Sequence, residues 1–215
     1  VTRYVTPLRE GGSLPAIVEA DDGFPYVIKF RGAGQGKKAL IAELIGGEMA
    51  RKMGLKVPEI VFMELDDSFG RTEGDVEIQD LLKFSVGLNL GLHYLAGAIT
   101  YDPLVSEVDA LSASKVVLLD SMITNVDRTF PAIKDHDLLV KAEKLEEAAE
   151  VIKSTITDQE LADIVSVIPD DWLEYPELDE SPAEMRDIYL QFLAAKLHNI
   201  DTLTKEASDA RKASI

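Results

Sequence analysis

The sequence predicts an α+β protein, strand-rich over residues 1–66 and mostly helical over residues 67–215. Three observations carry this expectation. Short apolar runs bounded by turn residues crowd the first third. One helical periodicity interrupts them over residues 38–53. After the polar stretch DDSFGRTEGD (66–75), apolar residues recur at helical spacing almost to the C-terminus. Strands first and helices after is the order of a segregated α+β fold.

PAIVEA (15–20), YVIKF (26–30) and EIVFMEL (59–65) read as strands, with turn signals EGGS (10–13) and DDGF (21–24) around the first two. Alternation in YVIKF puts Tyr26, Ile28 and Phe30 on one face and Val27, Lys29 and Arg31 on the other. The helix over 38–53 carries Ile41, Leu44, Ile45, Met49 and Met53 on one stripe. MGLKVP (53–58) then supplies a glycine stop followed by a proline. Further helices are expected over 105–123, 137–153, 158–167 and 182–211. In 137–153 the stripe is Leu138, Ala142, Leu145, Ala149 and Ile152, and Asp135, just upstream, is expected as the N-cap.

The bulk composition narrows the function. With 215 residues the chain can bury a substantial core. Acidic residues number 39 against 22 basic, a formal charge of −17, so the long-range field repels nucleic acid and anionic membrane surfaces. A phosphate-bearing ligand must therefore be held locally. No run approaches the roughly 20 apolar residues of a membrane span, and VTRYVTPLREGG has no signal-peptide core. The absence of cysteine excludes disulfides and thiol catalysis and fits a bacterial-type cytoplasm. His93, His136 and His198 are too scattered for a zinc cluster.

Few residues invite chemistry. Lys29 is either an edge-strand lysine reaching water along its stem, or a strand lysine that holds nucleotide phosphates and pairs with a glutamate on the next helix. That helix offers Glu43, with Glu48 competing, beside a small-residue stripe of Gly46, Gly47, Ala50 and Gly54. Gly11, Gly12 and Ser13 form a glycine turn whose N–H groups suit a phosphate, though a plain hairpin would read the same. RGAGQGKKA (31–39) fits no phosphate-loop fingerprint and reads as a flexible lead-in able to close over a nucleotide. DSMITNVDRT (120–129) places Asn125 and Asp127 in a polar turn after an apolar helical run. An aspartate there can orient a substrate hydroxyl, or the pair can simply turn the chain.

In order along residues 2–140, TRYVTPLREGGSLPAIVEADDG, YVIKFRGAGQGKKALIAELIGGEMARKMGLKVPE, EIQDLLKFSVGLNLGLHYLAGAITYDP, TNVDRT and PAIKDHDLL together resemble the HipA-like kinase family, in particular its compact bacterial members. The resemblance implies a two-lobed protein-kinase-like fold, with an N-lobe over 1–66 and a C-lobe over 67–215 forming one kinase-like domain. It implies ATP and Mg2+ as cofactors and transfer of the γ-phosphoryl group to a hydroxyl of a protein acceptor or of the enzyme itself. It assigns Lys29 to the ATP phosphates and to catalysis, Glu43 to the lysine, Gly11, Gly12 and Ser13 to the phosphate loop, and Asp127 to the catalytic position.

One departure stands out. Members of the family carry D-R-T-x-x-N, the asparagine ligating magnesium, and this chain has Ala132 at that position. The family's hairpin with a second metal-binding aspartate, in a stretch similar to IDHG, is also missing. Asp135 follows Asp127 by eight positions, whereas a catalytic loop and returning hairpin need roughly 15 to 25. No metal ligand is therefore assigned. Two readings stay open: an active kinase whose complete chain carries about 20 more residues after Thr129, or a degenerate pseudokinase that binds a nucleotide or a protein without transferring phosphate. A plain scaffold domain is the third.

Overall fold

The computed structural model describes residues 1–8, 14–34, 36–69, 74–98, 101–102, 106–125 and 133–215. Among these the chain is α+β, with a five-stranded antiparallel sheet and eight α-helices. It divides into two compact units. One comprises Val1–Leu44, Pro58–Ala98 and Pro169–Glu174, and the other Ile45–Val57, Ile99–Ile168 and Tyr175–Ile215.

The first unit is built on strands β1 (Arg3–Pro7), β2 (Ala16–Glu19), β3 (Pro25–Lys29), β4 (Ile60–Leu65) and β5 (Gly87–His93), in sheet order β1-β2-β3-β5-β4. The β2–β3 hairpin turns where DDGF predicts it. Ala20 N–H donates to Phe24 O (3.1 Å), and Gly23 takes φ +80°, a conformation glycine adopts without penalty. Asp22 accepts from the Phe24 N–H (2.9 Å) and the Tyr26 hydroxyl (2.8 Å). These bonds, the backbone one first, lower the Asp22 pKa, and the bond to Asp22 pushes the Tyr26 phenol up to about 12. Tyr26, Ile28 and Phe30 are buried, as their alternation predicts, and Ile78 and Leu82 of α2 (Val76–Phe84) join the same core.

β5 is a correction to the sequence reading, which gave residues 67–215 no strand. GLNLGLH alternates leucine with Gly87, Asn89, Gly91 and His93, so it carries none of the β-branched residues that set a strand signal, and two glycines, which weaken one. It forms because it is central: it bonds β3 on one side and β4 on the other. Gly91 fits there only without a Cβ, which would meet Met63 and Val61.

Helix α1 (Lys37–Lys52) begins in the first unit and ends in the second. It stops at the predicted glycine, Gly54 (φ +75°), with Leu55 N–H returning to Ala50 O (3.0 Å). Lys115 donates to Met53 O (2.7 Å), placing a cation at the negative end of the helix. At the small-residue stripe a side chain comes close: a Cβ on Gly46 would lie 3.2 Å from the Ile123 Cδ1 methyl.

The second unit centres on α3 (Ala110–Ile123), which packs against α4 (Leu145–Thr155) and α8 (Ile200–Ser214). Helix α5 (Asp158–Ser166) matches its prediction, and α6 (Asp170–Leu173) lies in the first unit. Helix α3 starts at 110, later than the expected 105, where Asp109 accepts from Ser112 N–H (2.9 Å). Two larger differences concern helices read as continuous. Residues 182–211 form α7 (Pro182–His198) and α8, parted at Asn199, whose N–H closes one helix on Ala195 O (3.2 Å) while its carbonyl opens the next.

Residues 137–153 do not form one helix from an Asp135 cap. Asp135 ends a 3-10 turn (Ile133–Asp135), a second turn covers Leu139–Lys141, and α4 starts only at Leu145. His136, Leu139 and Ala142 are buried and recur every third residue, the repeat of the 3-10 turns that hold them.

Candidate functional site

Lys29 ends β3, opposite in register to Leu90 of β5, and points away from the face that buries Ile28. Its Nζ is ion-paired with Glu43 Oε1 of α1; the side chains are 27% and 40% exposed, so the pair is held yet reachable. Glu48, the competing candidate, pairs instead with Arg51 one turn on (3.4 Å).

Between the two lies the glycine-rich connector 31–36, described except for residue 35, and its backbone is bonded into the protein at several points. Arg31 N–H donates to Asn89 Oδ1 (2.8 Å) and Gly32 N–H to Ser85 Oγ (3.2 Å). Ala33 and Gly36 N–H groups bond Phe30 O and Ala33 O (3.2 and 2.6 Å). These four donors face protein acceptors and are not turned toward a phosphate. Asn89 and Ser85 are fully buried, and Asn89 also donates to Ser85 O and Gly87 O (both 2.8 Å). Gly32 must be glycine, since a Cβ would sit 2.7 Å from the Phe84 backbone. At residues 31, 32, 33 and 36 this joint is tied to the protein by its own N–H groups.

Asp171 of α6 grips the joint at both ends. It takes the two terminal nitrogens of Arg31, Nη1 at Oδ2 and Nη2 at Oδ1 (3.0 Å), and Lys37 Nζ reaches its Oδ1 (3.4 Å) and its backbone carbonyl. The Arg31 hydrogen bond, above all, holds the Asp171 carboxyl below its ordinary range. Beside it the buried indole of Trp172 donates to Leu88 O (2.9 Å) and meets Phe62 edge-on (5.5 Å). Sequence reading gave no role to Ser85, Asn89, Lys37, Asp171 or Trp172. The signals were faint: Arg31 on the face of Lys29, and the only tryptophan of the chain.

Toward the predicted catalytic turn, α3 ends on Thr124 in the left-handed region (φ 56°). Thr124 and Asn125 N–H groups both donate to Asp120 O, the latter at 2.8 Å. The Asp120 carboxylate, 2% exposed, accepts from Asn125 Nδ2 (2.9 Å) and from His136 Nε2 (3.0 Å). Asp127 itself lies outside the described residues, as do Gly11, Gly12 and Ser13. The strands flanking that glycine turn do pair, and Leu8 N–H closes on Pro15 O (2.7 Å). Among the described residues no three of His, Asp and Glu assemble as a metal-ligand group, and no helix is long and apolar enough to cross a membrane.

A strand lysine paired with a helix glutamate, on an α+β chain, is an arrangement suited to holding a nucleotide's phosphates. The model of the HipA-like kinase family matches residues 1–152, and the chain belongs to that family. Searches of curated proteins and of solved structures return no match. The family implies a kinase-type function and, in general, ATP with a divalent metal.

Proposed function

We propose that the protein is an ATP-dependent kinase of two-lobed, protein-kinase-like architecture that transfers the γ-phosphoryl group to a hydroxyl of a protein acceptor or of itself. The observation that carries this reading is the Lys29–Glu43 pair, formed by the last residue of a strand and the helix that follows. Bound ATP supplies the phosphoryl group. Lys29, oriented by Glu43, neutralises phosphate charge; Gly11, Gly12 and Ser13 contribute N–H groups; Asp127 orients the acceptor hydroxyl and takes its proton. Magnesium is the metal this chemistry uses, and among the described residues no group of three His, Asp and Glu is assembled to hold it.

Lys29→Ala and Asp127→Asn are expected to abolish phosphoryl transfer, measured with radiolabelled ATP, while circular dichroism stays native. Wild-type turnover in either variant would remove the assignment. ATP with magnesium at 100 times its Kd should stabilise the fold by about 2.7 kcal/mol.

Ala132 favours a second reading, a nucleotide-binding or protein-binding pseudokinase, because the family's metal-ligating asparagine is absent there. ATP binding without any transfer, in a chain whose gene adds nothing after Thr129, would select it. No thermal shift at all would leave a scaffold domain.

A further inference from the structure

We propose that Asp171 is a positioning residue for the Lys29–Glu43 pair: by gripping Arg31 and Lys37 it fixes both ends of the connector that sets β3 against the start of α1. The proposal rests on the reading that this pair serves ATP, and it adds to that reading a residue beyond the family match, which ends at 152.

The connector needs an outside tie. Gly32, Gly34 and Gly36 give it little intrinsic stiffness, and Gly34 and Gly36 take φ of 41° and 63°. Helix α1 also begins against its own dipole, because its first turn holds Lys37 and no acidic residue. The Asp171 carboxylate brings negative charge to within 3.4 Å of Lys37 Nζ, beside the Asp171 and Glu174 carbonyls that also accept from it, and answers Arg31 at the other end. Its own position is secure: Trp172 is fully buried and bonds Leu88 of β5, the strand that pairs with β3. Glu43 lies six residues beyond Lys37, about 9 Å along the helix. Whatever fixes Lys37 therefore governs where Glu43 meets Lys29.

The test is quantitative labelling of lysines by an amine-reactive acylating reagent, read by peptide mass spectrometry on the whole chain. Glu43→Gln, which unpairs Lys29 directly, sets the upper limit. Asp171→Ala is expected to raise Lys29 labelling severalfold toward that limit. Lys153, paired with Glu150 and Asp201 in the helical unit, should keep its wild-type rate. Asp171→Asn, which keeps the shape and loses the charge, should fall between and guards against misfolding.

Unchanged Lys29 labelling in both variants overturns the proposal, as does a rise shared equally by Lys153 in both. The two readings separate cleanly. If wild type binds no ATP while Lys29 labelling still follows Asp171, the kinase reading falls and the clamp stands. If wild type binds ATP and Lys29 ignores Asp171, the clamp alone falls.

Discussion

Asp120 is a carboxylate held almost out of solvent, and its partners define what can replace it. His136 Nδ1 accepts from Leu138 N–H (3.0 Å), so the ring proton sits on Nε2 and points at Asp120 Oδ2. Asn125 Nδ2 points at Oδ1. Two donors thus converge on two carboxylate oxygens. An amide has only one oxygen, which in Asp120→Asn must stay on His136 because the histidine cannot change tautomer without losing the Leu138 bond; the new NH2 group then faces Asn125, whose amide must flip to accept, and both charge-assisted bonds are lost. Asp120→Asn is expected to destabilise the protein by about 1–3 kcal/mol, read as a lower urea midpoint at unchanged m. A loss below about 0.5 kcal/mol would show that the site relaxes. None of this was legible in the sequence. Asp120 hides inside the apolar run VVLLDSMI, and KDHD points to Asp135 as an N-cap, whereas the residue that is built in is His136.

At the scale of elements, legibility followed periodicity. Strands β2, β3 and β4 are short apolar runs rich in β-branched and aromatic residues, and α1 and α5 keep a helical stripe between clear stops, so each could be read. β5 could not, because it has no β-branched residue and two of its seven residues are glycine, one of them making room for its neighbours. That makes it testable. A methyl on Gly91 meets both Met63 and, at 2.9 Å, Val61 Cγ2. The methionine can swing away, but the β-branched valine is held at χ1. Gly91→Ala should therefore cost about 1–3 kcal/mol by thermal denaturation, the range for an overpacked core. Gly74→Ala, which meets nothing within 4 Å, is the control and should stay within about 0.5 kcal/mol of wild type. Equal effects at the two glycines would mean that the sheet adjusts freely around β5.

Over the whole molecule, the half of the site that lies close in sequence was readable and the half that arrives from far away was not. Lys29 and Glu43 are 14 residues apart on consecutive elements, whereas Arg31 and Asp171 are separated by 140. That distant partner also changes the electrostatics that ATP would meet. Lys29 is matched by Glu43, and Arg31 with Lys37 by Asp171, leaving a local surplus of about one positive charge against a net −17. The overall field therefore opposes an anionic nucleotide, and salt should relieve it. The Debye length falls from about 30 Å at 0.01 M to about 8 Å at 0.15 M, short enough to screen distant carboxylates while leaving contact pairs largely intact. At fixed magnesium, ATP affinity measured by calorimetry is expected to tighten severalfold across that range. Asp171→Asn, which frees a positive charge beside the joint, should bind more tightly than wild type at low salt if charge alone mattered, but more weakly if its hold on the Lys29–Glu43 pair is the larger effect. The second outcome is the one expected, because on the proposed reading a displaced lysine would lose direct contact with the phosphates, and direct contact is the part of the attraction that salt screens least.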